Sequence, residues 1–178
     1  MGERKASLLL RQQASIACGA LLWFGAFAFG WWNAPAVPAD MTRDRPEPGW
    51  TLFSDILMRN VGVSAALFLG IVTFGLATIP AALITGSLAG YGWGQAAPVL
   101  GTHGVIRHLL PHMPLELASL ALSTAAGLVP IVGWARSNLL EHPRRPAGWA
   151  QSVDACRLWA VSVAGLLPAA GVETWVST

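Results

Sequence analysis

Residues 61–90 read "VGVSAALFLGIVTFGLATIPAALITGSLAG". The stretch contains no Asp, Glu, Lys or Arg, and it is longer than the roughly 20 residues that carry an α-helix across a bilayer core of about 30 Å. One long kinked helix would account for it. So would two helices separated near Pro80, where the ring removes a backbone hydrogen bond. The number of membrane crossings depends on that choice. Small residues recur four apart at Gly62, Ala66 and Gly70, and again at Ala82, Gly86 and Gly90. This spacing lets helix backbones approach closely in lipid, so these six are the predicted packing positions.

The rest of the chain has the same character. Of 178 residues, 54% are hydrophobic and 11% charged, against about 25% charged in a soluble domain. The charges cluster near the N-terminus, at 40–59 and at 136–157. Long uncharged tracts between clusters indicate a single all-α domain, a polytopic transmembrane helix bundle over 1–178. A net charge of +2 is far from the aligned basic surface that a phosphate backbone requires, so nucleic acid is not an expected partner. Cys18 and Cys156 fall in or beside apolar segments and are expected to behave as small buried hydrophobes.

Residues 14–32, "ASIACGALLWFGAFAFGWW", follow a basic start carrying Arg4, Lys5 and Arg11. A cleaved signal sequence shares that layout. This run is longer than a signal core and closes on Trp31 and Trp32, as an interfacial anchor does, so a retained first helix is expected. Residues 33–59 are proline-rich and charged at first, which indicates an external loop. Its end, "TLFSDILMRN", looks like an amphipathic lead-in lying at the interface. The glycine-rich stretch 91–104 indicates a flexible connection or a re-entrant segment buried among helices. Further spans are expected at 110–134 and 158–176.

Orientation follows the basic residues of short loops. The N-terminus and the loop 136–157, with Arg136, Arg144, Arg145 and Arg157, should both face the cytoplasm of a bacterial plasma membrane. An even number of crossings must then separate them. Region 60–100 therefore crosses twice, giving about five crossings.

Glu116 and Glu173 are acids embedded in apolar spans. Such groups are costly in lipid and face a bundle interior, water or a partner. Arg59, Asn60, Arg107 and His112 are candidate partners. His112 and Glu116 are four apart, on one face of a continuous helix. Pro114 suits a first turn, which would start a helix near Met113 with His112 at its cap and Glu116 near the positive pole. His108, His112 and Glu116 also recur every four residues and could offer three metal ligands, but Pro111 and Pro114 spoil a continuous helix through them. No metal or cofactor is therefore expected, and His103 and His108 are taken as loop histidines. The remaining readings of the His112–Glu116 pair are a polar anchor between helices and a proton or ion relay.

Four segments, taken in order, resemble a known family. They are "RNVGVSAALFLGIVTFGL" (59–76), "ITGSLAGYGWG" (84–94), "PHMPLELASLALSTAAGL" (111–128) and "GVETWV" (171–176). Together they are similar to the stage II sporulation protein M family. The likeness runs over about 56–176 and is strongest at 111–128. The family's paired asparagines correspond here to Arg59–Asn60, and its glycine after the histidine to Met113, which marks a divergent member. The resemblance implies a non-enzymatic membrane protein that assembles with other integral membrane proteins, as a homo- or hetero-oligomer in lipid. In spore formers the namesake is a scaffold for cell-wall-degrading partners. Other relatives accompany transport genes, so a small permease or exporter accessory is the alternative.

Overall fold

The computed structural model describes residues 7–35, 47–139 and 149–177, and there the chain is helical without a strand. The helices are α1 (Leu8–Arg11), α2 (Gln13–Trp32), α3 (Trp50–Phe68), α4 (Thr78–Gly104), α5 (Met113–Leu139) and α6 (Trp149–Trp175). Four segments are long and apolar enough to cross a membrane: Gln13–Trp32, Trp50–Ile71, Met113–Leu139 and Trp149–Trp175. The fifth long helix, α4, lies outside that set and packs along α2. The charges predicted to flank the first helix at 3–5, the loop residues 36–46, and Arg144 and Arg145 lie outside the described residues.

The uncharged stretch 61–90 does split, but upstream of Pro80. α3 ends at Phe68 and a 3-10 turn covers Leu69–Ile71. The Thr73 hydroxyl donates to the Leu69 carbonyl at 3.2 Å and accepts from the Ala77 amide at 3.0 Å. Phe74 (φ 56°) and Gly75 (φ 86°) then take left-handed conformations, which reverse the chain. Thr78 Oγ1 donates to the Leu67 carbonyl at 2.6 Å and closes the corner. Pro80 falls in the first turn of α4, where its missing N–H is harmless. The expected lead-in over 51–60 is the first half of α3 itself, continuous with the rest of the helix.

The glycine-rich stretch 91–104 is helical, not a flexible connection, up to a break at Gly101 (φ 64°, ψ 175°). A π-helical turn over Val105–Leu109 then leads to the start of α5.

Helix directions alternate. Gly86, Gly90 and Gly94 of α4 meet the Trp23 carbonyl, the Phe27 carbonyl and Trp31 of α2, so these two run parallel. Along α3 and α5, Ser64 meets Ser123 and the Leu67 carbonyl meets Gly127, again parallel. Between α5 and α6, Gly133 meets Gln151 and Ser119 meets Gly165, so these are antiparallel. α2, α4 and α6 thus start at one end of the bundle, and α3 and α5 start at the other. Central to all is α5, buried over Ser119–Ala121 and Ser123–Val129. Its small residues there, Ala121, Ser123, Ala125, Ala126 and Gly127, admit neighbours on every side.

The predicted packing positions divide. A Cβ at Gly70, Gly86 or Gly90 would overlap neighbouring backbone or side-chain atoms, and Ala82 is fully buried. Ala66 is half-buried, whereas Gly62 has nothing within 4 Å of a Cβ and faces outward. Helix phase explains this: the buried stripe of α3 is Asn60, Ser64 and Leu67, and Gly62 lies across the helix from it. Cys18 and Cys156 are free thiols on the outer surface rather than buried. An apolar setting in sequence says only that lipid or protein surrounds a residue.

Candidate functional site

α5 begins at Met113, and the Glu116 amide donates to the His112 carbonyl at 3.1 Å. His112 thus caps the helix and Glu116 sits in its first turn, as the sequence indicates. α6 ends at Trp175, which brings Glu173 to the same end of the bundle. One ligand-type atom from each of His112, Glu116 and Glu173 lies within 4.8 Å of the others. His112 is buried, and both glutamates are partly so.

Neighbours fix this cluster. Asn60 of α3 is buried, and its side-chain amide lies close enough to Glu116 to act on its carboxylate. Arg59 on the same helix is near enough for its charge to act on Glu173. Ser177, just beyond α6, is gripped by two histidines. Its hydroxyl is 3.0 Å from His112 Nδ1, and its carbonyl accepts from His108 Nδ1 at 2.7 Å. A carbonyl only accepts, so His108 carries its proton on Nδ1. His112 precedes the α5 span, and burial lowers its pKa, which favours the neutral ring.

All five predicted polar residues therefore meet: Arg59, Asn60, His112, Glu116 and Glu173. The three-ligand series His108–His112–Glu116 does not form. Pro111 and Pro114 interrupt the helix, His108 turns to the C-terminal backbone, and Glu173 stands as the third member. His108 is accordingly an anchor for the chain end and not a free loop histidine. Sequence reading missed Ser177, because its role depends on how the end of α6 folds back toward 108–112.

A second polar feature lies deeper. The Trp159 indole N–H donates to Ser64 Oγ at 3.0 Å. Ser64 and Ser123 are 2.7 Å apart, Ser123 and Ser162 2.6 Å, and Ser162 donates to the Ser119 carbonyl at 2.6 Å. Each hydroxyl has one proton. Since Ser162 spends its proton on a carbonyl, Ser123 must donate to Ser162 and Ser64 to Ser123. The chain of donors runs one way and ties α3, α5 and α6 together. Serines at 119 and 123, one helical turn apart in an apolar span, were the available signal.

At the opposite end, Arg11 clamps Asp154 through Nε at 3.0 Å and Nη2 at 2.6 Å, and the Gln12 amide adds a bond at 3.1 Å. The hydrogen bond to Asp154 raises the pKa of the Arg11 guanidinium. This pair fastens the N-terminal segment beside the start of α6.

Long apolar helices, close glycine contacts and ionisable groups gathered at one end of the bundle define a helical membrane protein with an internal polar cluster. The chain belongs to the stage II sporulation protein M family, whose family model matches residues 19–178. No individual curated protein and no solved structure matches it.

Proposed function

We propose that the chain is a non-enzymatic scaffold of a bacterial plasma membrane, assembling other integral membrane proteins for envelope remodelling or a related process. The observation that carries this reading is the surface of α3. Only 17% of its apolar window is buried, against 56% for α5. Its buried stripe is narrow, and the opposite face presents Met58 and Gly62. A helix so lightly held inside its own bundle has a face free for lipid or a partner helix, and an outward glycine admits close backbone approach. The role of the family's namesake in spore formers supports the same reading. The Arg11–Asp154 clamp fits a cytoplasmic N-terminus on the same side as loop 136–157.

A transport role is the second reading, favoured by the paired carboxylates beside His112. The two make opposite predictions. A photo-crosslinking residue at Met58 or Gly62, in native membranes, should trap one discrete membrane partner at near-stoichiometric yield, while one at the buried Leu67 should not. A protein that purifies alone in mild detergent and moves ions in liposomes, with flux abolished by Glu116→Gln, would replace the scaffold reading with transport.

A further inference from the structure

We infer that His112, Glu116 and Glu173 form a binding site for one divalent transition-metal ion of the zinc class, joining the start of α5 to the end of α6. The ligand-type atoms lie within 4.8 Å of one another. Ligands about 2.0–2.2 Å from a tetrahedral zinc are roughly 3.3–3.6 Å apart, so closure needs the widest separation to contract by at most about 1.5 Å. Small side-chain torsions at two glutamates supply that without moving a helix.

The donor set suits the ion. One imidazole and two carboxylates are ordinary zinc ligands, and three protein ligands leave a fourth position for water. Groups behind the ligands are also in place. Ser177 Oγ engages His112 Nδ1, which leaves Nε2 as the ring's ligand atom, and Asn60 engages Glu116. Such outer contacts orient metal ligands and fix the histidine tautomer.

Charge points the same way. Glu116 and Glu173 repel each other, and the charge of Arg59 acts on Glu173. Two facing carboxylates in a partly buried site need a compensating cation or a shared proton. A shared proton would account for the two acids. It gives no reason for a buried imidazole, oriented by Ser177, to complete the triad. Such a site would hold the far end of the bundle closed whether the protein recruits partners or transports a substrate.

The test uses the full chain in mild detergent, stripped with chelator and titrated with Zn²⁺, and separately with Co²⁺ as a spectroscopic stand-in. The expected result is one equivalent of zinc per chain and visible Co²⁺ bands of a four- or five-coordinate site. His112→Ala, Glu116→Gln and Glu173→Gln should each weaken binding at least tenfold. Ser177→Ala should weaken it about tenfold, and His103→Ala, at an exposed residue outside the triad, should leave it unchanged. Absence of stoichiometric zinc binding by the folded chain, or binding indifferent to all three triad substitutions, would overturn the site. Should a triad variant lose its helical signal, zinc-edge X-ray absorption of the unaltered protein decides. One nitrogen with oxygen ligands supports the site, and sulfur or several nitrogens overturn it.

Discussion

Glycine at position 90 differs from glycine at position 62 only in what stands opposite. A Cβ at Gly90 would overlap the Phe27 carbonyl of α2, whereas at Gly62 it meets nothing within 4 Å. Alanine gains up to about 1 kcal/mol of helix propensity over glycine. At Gly90 the overlap with backbone forces α2 and α4 apart, and overpacking of that kind costs about 1–3 kcal/mol, so the clash wins. Gly90→Ala should lower the melting temperature in detergent, and Gly62→Ala should leave it unchanged or raise it slightly. The serine chain gives a second expectation. Ser162→Ala strands the Ser123 hydroxyl and removes a donor from the Ser119 carbonyl, at a cost of about 1 kcal/mol, since inter-helical bonds in membranes are modest. An unchanged melting temperature in that variant would mean that the chain contributes no stability. At this scale the sequence was half legible. The acids and the histidine stood out because they contradict their apolar surroundings. Ser64, Ser162 and Ser177 did not, since a lone serine in a span is ordinary until its partner is known.

For the elements, the turn between α3 and α4 was the hardest to locate. Proline is the stronger breaker in a sequence, which drew the expected boundary to Pro80. The actual corner rests on Thr73, Phe74 and Gly75, whose hydrogen bonds and positive φ values are set by three-dimensional closure onto Leu67 and Gly127. Gly75→Ala should therefore cost about 1–2 kcal/mol. The left-handed conformation disfavours a side chain, and its Cβ would stand 2.7 Å from Ile131 Cγ2. Thermal unfolding followed by circular dichroism measures this. By contrast, the start of α5 was legible to the residue, because Pro114 admits few positions other than a first turn. The Arg11–Asp154 clamp joins elements 143 residues apart and could not be read from spacing. Arg11→Gln and Asp154→Asn should each lower the melting temperature, and the double variant should fall by less than the sum.

Across the whole molecule, helix order and direction are the informative quantities. The helical, membrane-embedded character followed from composition alone. Which helices lie side by side did not, because α2 and α4 pair across the intervening α3 through contacts between glycine and carbonyl groups. Alternating directions place Ser7 and Asn138 at one end of the bundle and Pro48 and His103 at the other. In a background lacking Cys18 and Cys156, a cysteine at Ser7 or Asn138 should be labelled by an impermeant reagent only from the cytoplasmic face. One at Pro48 or His103 should be labelled only from outside. Labelling of Ser7 and Asn138 from opposite faces would rule out the five-pass arrangement.

Alternation over the five long helices of the described residues has an electrical consequence. Each helix carries about half a positive charge at its N-terminal end and half a negative charge at its C-terminal end. Two opposed pairs cancel, and one dipole remains, with its positive pole at the Arg11–Asp154 end. With that end in the cytoplasm of a membrane held 100 mV negative inside, half a charge is worth about 1 kcal/mol. The backbone is then polarised in the same sense as the arginines, so the resting voltage itself favours this insertion over its inverse.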